Sequence, residues 1–132
     1  MIYLDANIFA YAAMNNEKKG YNSRELLNRI IDGKEKGFTC TLTWDEVVHA
    51  IWKKEGREKA VMEGKKMLEL DSINWIKITK EVINTAQEIM EKTSLKQRDA
   101  IHAAAAISNN IIQFATDDSD FNKIKELKIV KI

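Results

Sequence analysis

Short apolar runs with strand character alternate along this chain with longer stretches of helical period. The runs are Ile2-Tyr3-Leu4, Phe38-Thr39-Cys40-Thr41-Leu42, Trp75-Ile76-Lys77-Ile78, Ile111-Ile112-Gln113-Phe114-Ala115-Thr116 and Lys128-Ile129-Val130-Lys131-Ile132, the last alternating like an edge strand. Between them, apolar residues recur at helical spacing. Leu26, Leu27, Ile30 and Ile31 form one stripe, and Trp44, Val47, Val48, Ile51 and Trp52 another. Ala60, Val61, Gly64, Met67 and Leu68 form a third, Val82, Ile83, Ala86, Ile89 and Met90 a fourth, and a slim alanine-rich helix is expected over Lys96 to Ser108. The order is strand, helices, strand, two helices, strand, two helices, strand, short helix, strand, which is the pattern of an α/β fold. No proline, repeat or low-complexity tract interrupts it, so residues 1–132 read as one domain, large enough for a real core.

Four acids, Asp5, Glu46, Asp99 and Asp118, stand where the chain is expected to turn from strand to helix. Asp5 ends the first run and Glu46 follows the second by one short turn. Asp99 opens the stretch Asp99-Ala100-Ile101-His102-Ala103-Ala104-Ala105-Ala106, and Asp118 comes just after Thr116. In a parallel sheet the carboxyl ends of the strands share one edge, where ligands bind. Carboxylates gathered there repel one another unless a cation neutralises them. A magnesium or manganese site, serving a phosphodiesterase, is the simplest purpose for the arrangement.

Each motif also has a purely structural reading. Asp5 or Asn7 suits a helix cap; alternatively Asp5 is a metal ligand and the Asn7 amide holds a water or a carboxylate. Thr43-Trp44-Asp45-Glu46 fits a capping box. An acid at Asp99 also favours the positive end of a helix. Thr116-Asp117-Asp118-Ser119-Asp120-Phe121 suits a turn capped by its acids, but three acids exceed what a cap needs. There Asp118 reads as a direct ligand, Asp120 as an auxiliary and Asp117 as a bystander.

Other chemistries fit less well. With 21 basic and 20 acidic residues the net charge is only +1, so a nucleic acid would have to be held by a local patch and a metal. Lys53-Lys54-Glu55-Gly56-Arg57-Glu58-Lys59, with Lys65 and Lys66, is the candidate patch, or else a solvated helix face. Glu46/His49 and Asp99/His102 have the three-residue spacing of di-iron helix bundles, but the strands argue against a bundle. The histidines read instead as packed or hydrogen-bonded near helix faces. Cys40 has no evident base, and neither a nucleophile elbow nor a glycine-rich phosphate loop occurs. No apolar run approaches a membrane span and no basic leader precedes Asp5, so a cytoplasmic location is expected.

Ile-Tyr-Leu-Asp5-Ala-Asn7, Trp-Asp-Glu46-Val-Val, Arg-Asp99-Ala-Ile-His-Ala-Ala and Ala-Thr116-Asp-Asp118-Ser-Asp120-Phe121 together closely resemble the PIN-domain nucleases, and among them stand-alone VapC-type toxins. The resemblance covers essentially the whole chain. It implies a three-layer α/β/α sandwich around a parallel sheet and an Mg²⁺- or Mn²⁺-dependent endoribonuclease. It carries over Asp5, Glu46, Asp99 and Asp118 as catalytic and metal-binding acids, with Asn7, Thr116 and Asp120 in support. It also implies an RNA substrate, a VapB-type antitoxin partner and a homodimer. A housekeeping RNA-processing nuclease and a non-catalytic RNA- or protein-binding module are the alternatives; retention of all four acids argues against the second.

Overall fold

A computed structural model describes residues 1–132. The strands are β1 (Ile2–Leu4), β2 (Gly37–Cys40), β3 (Ile73–Ile76), β4 (Gln113–Thr116) and β5 (Lys128–Lys131). Helices α1 (Ala6–Met14) and α2 (Lys18–Ile31) join β1 to β2, and α3 (Leu42–Glu55) and α4 (Arg57–Leu68) join β2 to β3. Helices α5 (Lys80–Lys92) and α6 (Gln97–Ser108) join β3 to β4, and a short 3-10 helix, Ser119–Lys123, precedes β5. This is the element order that the hydrophobic periodicity specifies.

All strand pairs are parallel, in the order β3-β2-β1-β4-β5. Side chains alternate across the sheet. Ile2, Leu4, Ile73 and Ala115 pack with Ile8, Phe9, Ile30, Val47, Ile51, Ala60 and Met67 of α1 to α4. Tyr3, Cys40, Ile76 and Phe114 face the other way, onto Val82 and Ala86 of α5 and the alanines of α6. Four helices cover one face and two the other, a three-layer sandwich. Ala100 and Ala103 to Ala106 are fully buried, so the missing side-chain bulk lets α6 lie close against both the sheet and α5.

Two glycines set the α3–α4 hairpin. Gly56 turns the chain at φ +91°, a conformation other residues rarely adopt. At Gly64 a Cβ would come within 2.9 Å of Val48 Cγ2 and 3.1 Å of Trp44 Nε1, so the two helices could not pack as closely.

Strand β3 starts two residues earlier than the apolar run Trp75–Ile78 suggests. Its register is fixed by β2, from Gly37 opposite Ile73 to Cys40 opposite Ile76, and β2 ends there, leaving Lys77 and Ile78 without a ladder partner. The strand order changes direction between β1 and β4, the position where open parallel sheets form their ligand crevice.

Candidate metal centre

The chain leaves β1 at Asp5, which is 6% exposed and is the N-cap of α1. Its Oδ1 accepts the Ala6 amide at 2.8 Å. Its Oδ2 accepts the Thr116 hydroxyl at 2.7 Å and the Asn7 side-chain amide at 3.2 Å. The cap and the site are therefore the same carboxylate. Burial raises the Asp5 pKa, opposed by the nearby His102 and by the Thr116 and Ala6 hydrogen bonds.

Thr116 ends β4 beside β1, fully buried, and its hydroxyl is a hub. Besides donating to Asp5, it accepts the Asp118 amide at 3.0 Å and Asn7 Nδ2 at 3.2 Å. One donor and two lone pairs are thereby all engaged. Asn7 Oδ1 accepts the Asp117 amide at 3.4 Å, so Asn7 and Thr116 lock β1 to β4 where the strand order turns.

Glu46 does not close a capping box. Helix α3 begins at Leu42, and Thr43 lies inside it, its hydroxyl accepting from Thr39 at 2.7 Å in the core. Glu46 Oε1 is instead hydrogen-bonded to Nε2 of His102 on α6. His102 is fully buried, with Nδ1 2.7 Å from the Tyr3 hydroxyl and 3.6 Å from Cys40 Sγ, and Nε2 3.9 Å from Asp5 Oδ1. In the imidazolium both ring nitrogens donate, Nε2–H to Glu46 and Nδ1–H to the Tyr3 hydroxyl oxygen. Burial alone disfavours the imidazolium, but Cys40, Glu46 and Asp5 together raise its pKa well above the ordinary histidine value. His102 thus supplies an internal positive partner to Asp5 and Glu46. The sequence carried a signal for it: His102 is the one polar residue on the buried alanine face of α6. The other histidine, His49, is exposed rather than packed.

Asp99 reaches the same crevice by a different route from the one the sequence suggests. It follows the α5–α6 connection rather than a strand. Because α6 feeds the start of β4, it runs back across the sheet, and its first turn lies at the carboxyl edge. Oxygens of Asp99, Asp118 and Asp120 lie within 4.8 Å of one another. Asp118 also caps the 3-10 helix, accepting the Asp120 amide at 2.9 Å. Of the three, only Asp120 makes an ion pair, with Lys123 Nζ at 3.8 Å. Burial and the charges of Asp118 and Asp5 push the Asp99 carboxyl up to about 6. Three converging carboxylates, one of them resisting ionisation, are a hard oxygen donor set that suits a small divalent cation. Asp117 turns out of this cluster. It accepts Lys19 Nζ at 2.6 Å and the Tyr11 hydroxyl at 2.7 Å, contacts that lower its pKa.

Comparison with known proteins agrees with this architecture. VapC20 of Mycobacterium tuberculosis, a sarcin-ricin-loop-cleaving toxin, superposes with a TM-score of 0.77 at 16% identity, over 95% of each chain. VapBC2 of Rickettsia felis, crystallised on a DNA fragment from its promoter, gives 0.74 at 20% identity over 99% of this chain and 98% of that one. VapBC-1 of nontypeable Haemophilus influenzae gives 0.68 at 17% identity over 99% and 98%. No curated protein matches the sequence. The PIN domain profile matches residues 2–127, and the chain belongs to the PIN domain family.

Proposed function

We propose that this PIN domain, residues 1–132 acting as one unit, is a metal-dependent endoribonuclease and the toxin of a VapBC-type pair. The observation that carries the reading is the cluster of Asp99, Asp118 and Asp120, with Lys123 its one ion-pair partner, beside the buried Asp5 and half-buried Glu46 at the point where the strand order turns. Asp5, Glu46, Asp99 and Asp118 would hold one or two Mg²⁺ or Mn²⁺ ions, with Asp120 auxiliary. A bound ion supplies an activated water and neutralises charge on the phosphate under attack.

The chain's own residues prepare the site for that role. Thr116, Asn7 and the Ala6 amide fix the Asp5 carboxylate, and His102 fixes Glu46. Without a cation the same carboxylates repel the substrate backbone, so the metal-free protein is inert and binds RNA weakly. Hydrolysis leaves a 5′-phosphate and a 3′-hydroxyl.

The toxin role and the antitoxin partner are supported by the VapC and VapBC structures that share the fold. We also read the protein as a cytoplasmic homodimer. No helix is long and apolar enough to cross a membrane. Of the apolar stripes that could supply a dimer surface, Ile51 and Met67 are core, while Trp44 and Trp52 are 39% and 51% exposed. Light scattering is expected to give about twice the 15.2 kDa chain mass.

The test is cleavage of a structured RNA pool with Mg²⁺, Mn²⁺ or EDTA. Discrete metal-dependent cuts support the nuclease. No cleavage with either metal, by folded and partner-free protein, moves the weight to a non-catalytic binding module.

A further inference from the structure

Asn7 and Glu46 each begin a stripe on facing helices. On α1 the positions three, four and seven residues after Asn7 are Ala10, Tyr11 and Met14. On α3 the positions four, seven and eight after Glu46 are Ala50, Lys53 and Lys54. Those spacings keep side chains on one helix face. The same six residues line a recess of about 510 Å³ between α1 and α3. Its walls are therefore the outward continuation of the two helix faces that carry Asn7 and Glu46 into the acidic crevice.

The lysines of the basic run divide into two groups. Lys59 and Lys66 pair with Glu63, and Lys65 with Glu69, all within α4 and its cap. Lys53 and Lys54 are exposed and make no ion pair. Their place in the last turn of α3 suits the helix dipole, but that does not explain why both line the recess. Seven or eight residues of helix separate them from Glu46, about 10–12 Å. That span corresponds to roughly three phosphates at the ~3.4 Å axial spacing of a stacked strand. A cation among the acids would neutralise only the phosphate being cut, and the flanking phosphates need positive charge beyond the ring of carboxylates. Ala10, Met14 and Ala50 add apolar wall, and the Tyr11 ring is anchored by its bond to Asp117. Positive charge beside an aromatic and apolar wall is the composition of single-strand grooves.

We propose that the α1–α3 recess seats single-stranded RNA flanking the scissile phosphate, with Lys53 and Lys54 pairing with its phosphates. This rests on the nuclease reading above. The experiment compares cleavage of a labelled single-stranded oligoribonucleotide by wild type, Lys53→Gln/Lys54→Gln and Lys65→Gln/Lys66→Gln. The two variants remove the same charge. The recess variant is expected to raise KM about tenfold, to change kcat by less than about twofold, and to reduce the slope of log affinity against log salt by about 1.4, twice the ~0.7 per phosphate of a single strand. The Lys65/Lys66 variant is expected to stay close to wild type. A recess variant indistinguishable from that control, in an active wild-type background, overturns the recess assignment alone. A wild type that neither binds nor cuts RNA with Mg²⁺ or Mn²⁺ overturns the nuclease reading on which it rests.

Discussion

Asp5 and Glu46 lie on one side of the crevice and Asp99, Asp118 and Asp120 on the other, and their surroundings differ sharply. On the first side every carboxylate has a partner from within the fold: Thr116, Asn7 and the Ala6 amide for Asp5, and His102 for Glu46. On the second, three carboxylates converge and the sole ion-pair partner is the half-exposed Lys123. The first side is organised by folding alone. The second keeps most of its negative charge unmatched and so is where an external cation would lower the energy most. The proposed metal site would thus have its geometry fixed in advance on one side and its charge left open on the other.

The largest effect that separates the two sides is expected from Asp99→Asn. It keeps the shape of the cluster but removes a charge, and RNA cleavage should fall by about a thousandfold or more. The metal-free protein should at the same time gain stability, on the order of 1 kcal/mol after allowance for solvent screening, measured by urea unfolding. A variant that cuts at the wild-type rate would break the comparison. On the partnered side, His102→Ala orphans the buried Tyr3 hydroxyl and leaves Glu46 without its partner. Stability should drop by about 3 kcal/mol and activity by roughly 10- to 100-fold. His102→Gln, which keeps a donor, should recover part of both.

A pH series sharpens the contrast. Asp99 binds its proton up to about 6 in the folded chain, against an ordinary 3.8. The folded state therefore holds the extra proton between those values. The stabilisation this brings is fully present below the lower value and is lost as pH rises through the upper one. Metal-free wild type should lose stability relative to Asp99→Asn across that window, and saturating Mg²⁺ at pH 7 should restore it. Parallel curves for the two proteins would contradict the assigned repulsion. The smallest effect is expected at Asp117, whose partners Lys19 and Tyr11 hold it out of the cluster. Asp117→Asn should change cleavage less than about twofold and stability by about 0.5 kcal/mol.

The order of strands and helices was legible because short apolar runs and helical stripes alternate without a break. The candidate site was legible in part. Asp5 directly follows β1 and Asp118 comes two residues after β4, where a local reading finds them. Asp99 stands far from any strand in sequence, and only the return path of α6 brings it to the edge. Glu46 had two local readings, and its partner lies 56 residues away on another helix. Pairings of that kind, like the Tyr11–Lys19–Asp117 anchor, depend on how helices pack and leave almost no trace in local periodicity. The β3 boundary moved for a similar reason, since the length of β2 decides where a ladder ends.

The most direct measurement is calorimetric titration of Mg²⁺ and Mn²⁺ into metal-free wild type, Asp99→Asn and Glu46→Gln, with folding confirmed for each. Saturable binding is expected for wild type, with loss of binding in Asp99→Asn and a smaller loss in Glu46→Gln. Unchanged affinity in Asp99→Asn would contradict the placing of the cation among Asp99, Asp118 and Asp120.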